Sequence, residues 1–555
     1  MSGKLKVSDM LARAFAAEGV DHLFTLMGDA NMYWSTAMAE LPGMKVVHAR
    51  HEHCAVAMAD GYARATGKVG VASTTCGPGF TQIMTALTIA ARGNVPLVVF
   101  AGDSPLAAAW YLQQIDMAPL ALACGAHYVT VKHMDRLLDC VREAFLVAAL
   151  EQKPVVLSVP MDLQKQAWPH MTDYTPSSDL MPAAQRPMPD PLIVDRVVDM
   201  IAEAEKPILI AGRGALLSGA GPALEALAAA AGALTATSLL GKGLFDGNPY
   251  ALDIAGAFAS DFARERFAEA DLVIGAGAAL GHYTTEGGYL YPGARTIQID
   301  VNPRGLWQGL RTADLHVRAD AKAAAEAIVA RLTQRGISRT GFRTNEMAKL
   351  IAGDSPDSKE YPVQPNTLDP RKAVLELDQA IPKDWEVVVG AGHYFSMVMT
   401  HMKGRPAERY HVVNDFGAIG SALPAAIGIA AAKGDGKVLL VEGDGSLMMH
   451  VQELETVRRQ GIRMLMAIMN DGGYGAEVHK FRANGITPKE AVHGRGDLAA
   501  AATGFGLRGA SVTQPGRFQP LFKEHQGANI GTVWDVHIDD LIPSRAYRRV
   551  HYGEA

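Results

Sequence analysis

Two short stretches carry residues that could do chemistry together. Gly443-Asp444-Gly445-Ser446 closes the apolar run "KVLLVE", and Asn470-Asp471-Gly472 closes "RMLMAIM". Both follow strand-like runs, so both sit where a strand ends. Asp444 offers a carboxylate and Asn470 an amide oxygen. The tight loop at Gly472 could add a backbone carbonyl. Mg²⁺ takes hard oxygens in octahedral geometry and leaves room for phosphate oxygens. Glycines let the backbone approach closely, and the helix N-terminus after Ser446 favours an anion. Either turn alone is an ordinary loop. Together they form a far more specific pattern, which predicts a metal and diphosphate cradle.

A third stretch, "HARHEHCAVAMADGYAR", gathers His48, His51, Glu52 and His53. It invites a metal reading, but a metalloprotease helix needs H-E-x-x-H or H-x-x-E-H, and this spacing fits neither. His48 and His51 are i,i+3, while His53 lies off that helical face. Glu52 is either an ion-pair partner of Arg50 or Arg64, or a functional acid.

The elements that must position these residues alternate between strand and helix. Ser8 can cap a helix over "DMLARAFAAE", with Gly19 ending it. "VDHLFTLMG", "KVGVASTT", "PLVVFAG" and "PVVLSVP" read as strands of a first block, residues 1–168. Pro- and Ser-rich residues 165–191 read as a linker. A second block, residues 188–335, holds "PILIAG", "LTATS", "LVIGAG" and "RTIQIDV". After another polar stretch at 335–368, a third block over 365–545 holds "EVVVGAG", "RYHVVND", "KVLLVEGDG", "RMLMAIMND" and "IGTVWDVHI". Such alternation predicts three doubly wound α/β domains with parallel sheets. Ligands of such sheets bind beyond the carboxyl ends of the strands.

Composition narrows the class. The 555 residues have 52 basic and 58 acidic side chains, a net charge of −6 and 48% hydrophobic residues. No basic stripe suggests nucleic acid, and no apolar run is long enough to span a bilayer. The N-terminus lacks the apolar core of a signal peptide, so a cytoplasmic location is expected. Cys54, Cys76, Cys124 and Cys140 form no C-x-x-C pair and read as reduced thiols.

"GDGSLMM…MNDGGYG" resembles the metal–diphosphate motif of thiamine diphosphate (ThDP) enzymes. The resemblance runs over nearly the whole chain, to the acetolactate synthase, pyruvate oxidase and benzoylformate decarboxylase superfamily. It implies pyrimidine-binding, central Rossmann-like and diphosphate-binding domains in that order. It also implies a homodimer or homotetramer with the cofactor between subunits. Residue by residue, it makes Asp444, Asn470 and the Gly472 carbonyl the metal ligands. Gly443, Gly445 and Ser446 meet the diphosphate, as do Gly392 and His393 of "GAGHY". In "DFGAIGSALPAAIG", beginning near Gly417, Ile419 matches the bulky residue that props the cofactor into its V shape. Tyr474 stands beside the cradle. Glu52 matches the glutamate that hydrogen-bonds the aminopyrimidine, so that the cofactor's own imino group removes the C2 proton.

The reaction so implied is lyase or carboligase chemistry on 2-oxo acids or 2-hydroxyketones, through an enamine. A benzoylformate decarboxylase-like or FAD-containing pyruvate oxidase-like enzyme is the alternative. Asp29 in "LMGDAN", Gln113 in "WYLQQID" and His282 in "GHYTTEGG" are the further catalytic candidates. Against each stands a plain reading: a turn aspartate, an exposed polar loop and a surface histidine. Pocket size is expected to depend on Trp34, Trp110, Tyr111 and Phe395. The chain departs from acetolactate synthases in having Gly125-Ala126-His127-Tyr128 where they carry Thr-Lys-His-Asn. It departs from pyruvate decarboxylases in having Gln113-Gln114 in place of a histidine pair. In the second block, "IAGRGALLSG" and "VIGAGAALG" with Asp300 suggest a dinucleotide site, but the spacing is G-x-G-x-x-x-G. FAD stays open as a second cofactor.

Overall fold

A computed structural model describes residues 5–170, 173–181, 185–302 and 313–554. Three six-stranded sheets, each wholly parallel, follow one another along the chain. In the first, the spatial order is β2 (Lys45–His48), β1 (His22–Thr25), β3 (Gly70–Thr74), β4 (Leu97–Asp103), β6 (Pro154–Pro160) and β5 (His127–Thr130). The third sheet repeats that order with β14 (Tyr410–Val413), β13 (Glu386–Gly390), β15 (Val438–Gly443), β16 (Leu465–Asn470), β18 (Thr532–His537) and β17 (Arg508–Val512). The middle sheet runs β12 (Leu315–Val317), β11 (Arg295–Ile299), β10 (Leu272–Ala276), β7 (Pro207–Ala211), β8 (Leu234–Thr237) and β9 (Ala251–Ile254). Read from its other edge, this is the dinucleotide-fold order 3-2-1-4-5-6.

Parallel strands need both faces covered, and the central strands are buried along their length, as their Val/Ile/Leu runs require. The first and third domains share one hydrophobic core. It is built where the helix Glu52–Thr66 crosses the helix Ala422–Lys433. Small residues make that crossing close. A Cβ on Gly61 would strike the Ala425 carbonyl, and one on Gly428 would strike the Met58 carbonyl.

Several local readings change. Ser8 is not the cap: the first helix spans Val7–Ala17, Lys6 is its N-cap and the Lys6 N–H donates to Asp9 at 2.9 Å. Gly19 does take a left-handed φ of 86°. The polar stretch after the second block contains a helix, Asn345–Ala352, whose Met347 and Ile351 pack on the central domain. Trp34 is no pocket wall; it is fully buried, stacked on Phe100 at 4.1 Å.

Candidate functional site

The cradle forms where β15 and β16 lie side by side, with Gly443 in register with Met469. The helix Asp444–Met449 starts at the end of β15, so its first turn contains Asp444, Gly445 and Ser446. Asp444 is 2% exposed, and its Oδ2 has no hydrogen-bond partner. Burial pushes its carboxyl up to about 6, against the pull of His493 and nearby backbone N–H groups. Asp471, next door, is held well above the carboxylate range by burial and by Asp444. A buried acid beside a half-buried one that it raises makes a place that favours a cation.

Asn470 is fully buried. Its Nδ2 donates to Asp535 at 2.7 Å and to the Arg495 carbonyl at 3.1 Å. That fixes the amide, leaving Oδ1 facing the Gly472 N–H at 3.2 Å. The Gly472 carbonyl does not fit its expected role. It accepts the N–H groups of His493 and Gly494, both at 2.9 Å, which takes both its lone pairs. Asp471 is the acid that the sequence reading passed over.

A cavity of about 600 Å³ opens over the cradle. Gly392, Gly417, Ile419, Gly443, Gly445 and Tyr474 line it, as expected. Ile419 is half-buried at the cavity wall, so plain core is not its place. Gly445 lies under the Tyr474 ring, where a Cβ would come within 2.9 Å. Phe395 also lines the cavity, whereas Trp110 is 74% exposed outside it.

Two cradle residues behave differently from expectation. Ser446 lines the cavity, but its hydroxyl is committed: it accepts from the Gly420 N–H at 2.7 Å and donates to Glu442 at 2.6 Å. His393 has its backbone at the cradle and its ring turned away. Nε2 accepts the Ser544 N–H at 2.8 Å, at the start of the last helix, Arg545–Tyr552, and the ring sits 4.1 Å from that of His479. Burial holds its imidazole far below the usual range, so it is neutral.

The first domain assembles a second group. Glu52 opens its helix, whose N-terminus is capped by His51 accepting the His53 N–H at 3.1 Å. Neither arginine pairs with it. Arg50 binds Glu455 at 2.6 Å, and Arg64 binds Asp60 at 2.6 Å and Asp415 at 2.7 Å. Among the described residues no hydrogen-bond or ion-pair partner meets the half-buried Glu52 carboxylate. Over it lies the loop after β3, where a Cβ on Gly79 would stand 3.3 Å from Glu52 Oε1. The same loop touches Gln113: Cys76 Sγ is 3.8 Å from its Oε1, and a Cβ on Gly77 would meet its backbone. Tyr111 donates to Asp29 at 3.3 Å. Glu52, Gln113 and Asp29 thus ring the loop 75–79 and Tyr111. The Gly- and Pro-rich "TTCGPG" after a strand was the signal for that loop.

His282 does not join them. It is exposed, and its neighbours Tyr283 and Thr284 line the cavity instead. Nor do the first-domain histidines gather a metal: among the described residues no group of three or more His, Cys, Asp or Glu could hold one. His48 ends β2, while His51 and His53 lie against His450 of the third domain. All four cysteines are free and buried.

In the central domain the glycine turns serve one another. Gly214 donates to the Gly277 carbonyl at 2.9 Å, and a Cβ on Gly214 would lie 2.9 Å from Gly277 Cα. Two backbones in mutual contact account for these glycines without a bound dinucleotide.

Comparison with known proteins agrees with this layout. "Thiamine pyrophosphate enzyme, N-terminal TPP binding domain" matches residues 5–120, the central domain of the same enzymes matches 194–328 and their "C-terminal TPP binding domain" matches 390–535. An acetolactate synthase large subunit of Parasynechococcus marenigrum is 29% identical over 97% of this chain and 88% of its own. The acetolactate synthase isozyme 2 large subunit of Escherichia coli is 27% identical over 96% of this chain and 95% of its own. Among solved structures, a thiamine diphosphate-dependent 4-hydroxybenzoylformate decarboxylase of Rhodococcus jostii superposes with a TM-score of 0.80 at 22% identity, covering 96% of this chain and 99% of that one.

Proposed function

The chain belongs to the thiamine pyrophosphate enzymes, and from that premise we propose a Mg²⁺- and ThDP-dependent lyase or carboligase. Its substrates are 2-oxo acids or 2-hydroxyketones. The observation that carries the reading is the acid pair of buried Asp444 and half-buried Asp471, with an Asp444 oxygen that has no hydrogen-bond partner, 3.8 Å from His493, beside the fixed amide of Asn470. Asp444 and the Asn470 Oδ1 would hold Mg²⁺, with Asp471 supplying further negative charge. Hard oxygens and negative charge are what that ion takes. Gly443 and Gly445 leave room for the diphosphate, and Ile419 stands at the wall as a prop.

When bound, ThDP supplies a nucleophilic carbon that adds to a substrate carbonyl and accepts its electrons. Glu52 would hold the proton that activates it: its carboxyl group, with no other hydrogen-bond partner, would share a proton with the pyrimidine ring nitrogen and so favour the imino form. Gln113, Asp29 and Tyr111 are polar groups on the same side for the substrate's oxygens. Phe258, Phe395 and Tyr547 give the cavity an aromatic wall suited to an apolar substrate side chain. That wall favours simple decarboxylation as the second reading, the activity in the name of the Rhodococcus protein. FAD takes no part in the reading, because the glycine turns pack on each other.

The site is completed by a second subunit. Met448, Met449 and Phe416 are 53%, 50% and 43% exposed near the cradle, and Trp110 and Leu112 are 74% and 79% exposed near Gln113. Exposed apolar surface of this kind marks an interface, here one that carries Glu52 of one subunit to the cradle of the other. Among the described residues no helix is long and apolar enough to cross a membrane.

The test is a panel of 2-oxo acids with Mg²⁺ and ThDP, with and without acceptor aldehydes, reading CO₂ and products. Glu52→Gln is expected to keep Mg²⁺-ThDP binding and to slow C2 hydrogen–deuterium exchange by about a hundredfold or more. Exchange at the wild-type rate in that variant would remove Glu52 from its role. A chain that binds no ThDP would end the reading.

A further inference from the structure

The turn 419–421 is held by a set of side chains that the proposed chemistry leaves unused. Gly420 is the hub. Its N–H donates to Ser446 Oγ at 2.7 Å, and Ser446 in turn donates to Glu442 at 2.6 Å. Its carbonyl lies 2.8 Å from His450 Nδ1. A carbonyl only accepts, so Nδ1 of His450 carries the proton. Gly420 has φ of 90° and no room beside it: a Cβ would stand 3.0 Å from His450 Nδ1. The next residue, Ser421, meets His53 Nε2 at 2.9 Å. The His53 and His450 rings stack at 4.7 Å, 12° from parallel, with His51 edge-on at 5.4 Å from His450. The two peptide groups that flank the Gly420 Cα are therefore each bonded to a buried side chain, immediately after Ile419. The same groups reach the start of the helix that Glu52 opens.

We infer that His450, braced by the stacked His53, and Glu442, acting through Ser446, clamp the two peptide groups on either side of Gly420 and thereby set Ile419. This rests on the proposed ThDP reading. None of the three is placed on the cofactor; they are positioning residues. His450 holds the carbonyl side and Glu442 the amide side. His53 ties the clamp to the first domain through Ser421, so the histidines that resembled a metal site serve as a seam. Loosening the clamp should cost affinity for the part of the cofactor that bends over Ile419 and spare the part held by the cradle.

Calorimetry on the full-length protein separates these parts with two probes, Mg²⁺ with ThDP and Mg²⁺ with inorganic diphosphate. His450→Ala leaves the Gly420 carbonyl unpaired, which should weaken ThDP binding by about tenfold. Inorganic diphosphate should bind as to the wild type. Glu442→Gln keeps an acceptor for Ser446 and should bind both probes as the wild type does, whereas Glu442→Leu should repeat the selective loss. If His450→Ala is too unstable to measure, His53→Gln carries the same test. It can still reach Ser421 but cannot stack, and it should show a smaller loss of the same selectivity. His450→Ala or Glu442→Leu binding both probes normally, or losing both in parallel, overturns the clamp, as does a selective loss in Glu442→Gln. A wild-type protein that binds no ThDP overturns the functional reading itself, so the two failures are told apart.

Discussion

The first and third domains share one strand order and carry different equipment at their strand ends. β3 and β15 occupy the same place. After β15 the chain gives Gly443-Asp444-Gly445-Ser446; after β3 it gives Thr75-Cys76-Gly77-Pro78-Gly79. The glycines recur and the acid does not. β4 and β16 also correspond. β16 ends at Asn470, and Asp471 follows, beside an Asp444 oxygen that has no hydrogen-bond partner, while Asp103 at the end of β4 is already bonded to Ser104 and Ser158. The helices after β2 and β14 correspond too and cross one another. One opens with the unpartnered Glu52, the other follows the clamped Ile419 turn. One frame thus serves twice in the proposed reading: the third domain would hold an anion and a cation, and the first would present a single acid. Fold sets where strand ends point, and the residues there set the task.

The sharpest way to break that contrast is to exchange loss of holding for loss of acting. Asp444→Ala should weaken Mg²⁺-dependent ThDP binding beyond about a hundredfold, since it removes a ligand and outer-shell losses alone reach that range. Glu52→Gln should leave binding nearly intact and lose exchange. Equal binding defects in the two variants, measured by calorimetry, would erase the division of labour.

The shared frame itself can be tested at the helix crossing. Gly61 and Gly428 occupy matching places, each under a carbonyl of the other helix. Alanine at either should push the helices apart and cost about 2 kcal/mol, an ordinary overpacking cost. Alanine at Gly293, which meets nothing within 4 Å, brings no such clash. A thermal midpoint unchanged by Gly61→Ala would mean that the crossing is looser than it looks.

The same contrast explains what the sequence made legible. The central strands were readable because burial on both faces demands unbroken Val/Ile/Leu runs. The strands that escaped were β2, β5, β9, β12 and β17, and each lies at or next to a sheet edge with mixed exposure. A part-exposed strand such as "RGASV" has no apolar run to find. The places of Asp444, Asn470 and Glu52, at two strand ends and a helix start, were legible because motif spacing fixes them. The Gly472 carbonyl was not, because its fate depends on His493 and Gly494, which return from a later loop. His393 was half legible: it lines the cavity, while the ring's direction is set by Ser544 and His479, far along the chain. Asp535 could not be foreseen at all, since only β16–β18 pairing brings it under Asn470.

That buried acid gives a finer test of the holding domain. Asp535→Leu removes the nearer of the two acceptors that orient the Asn470 amide and leaves its Nδ2 held by the Arg495 carbonyl alone. Mg²⁺ affinity should fall about tenfold, as for other partners that orient ligands. The first domain should not respond: at saturating Mg²⁺ and ThDP, exchange at C2 should recover. Slow exchange at saturation would show that the two tasks are coupled through more than the metal.

The smallest effect concerns the seam between the two domains. Burial, with His450 and His51 nearby, holds the His53 imidazole down to about 3. In the unfolded chain it titrates at about 6.5. Between those values the unfolded chain binds the extra proton, so the folded state is favoured above pH 6.5 and loses that advantage as pH falls. One unit below 6.5 the loss is about 1.4 kcal/mol for this one histidine. Other buried histidines such as His479 add to the acid limb in the same direction, held at about 4. His53→Gln should therefore lower stability at neutral pH, through lost stacking, yet make the decline from pH 6.5 to 5 shallower by one proton. Thermal midpoints of both proteins across that window give the slopes. Parallel slopes would mean that His53 keeps its ordinary titration in the folded protein, and that the first domain meets the third through a wetter seam than the stacked rings describe.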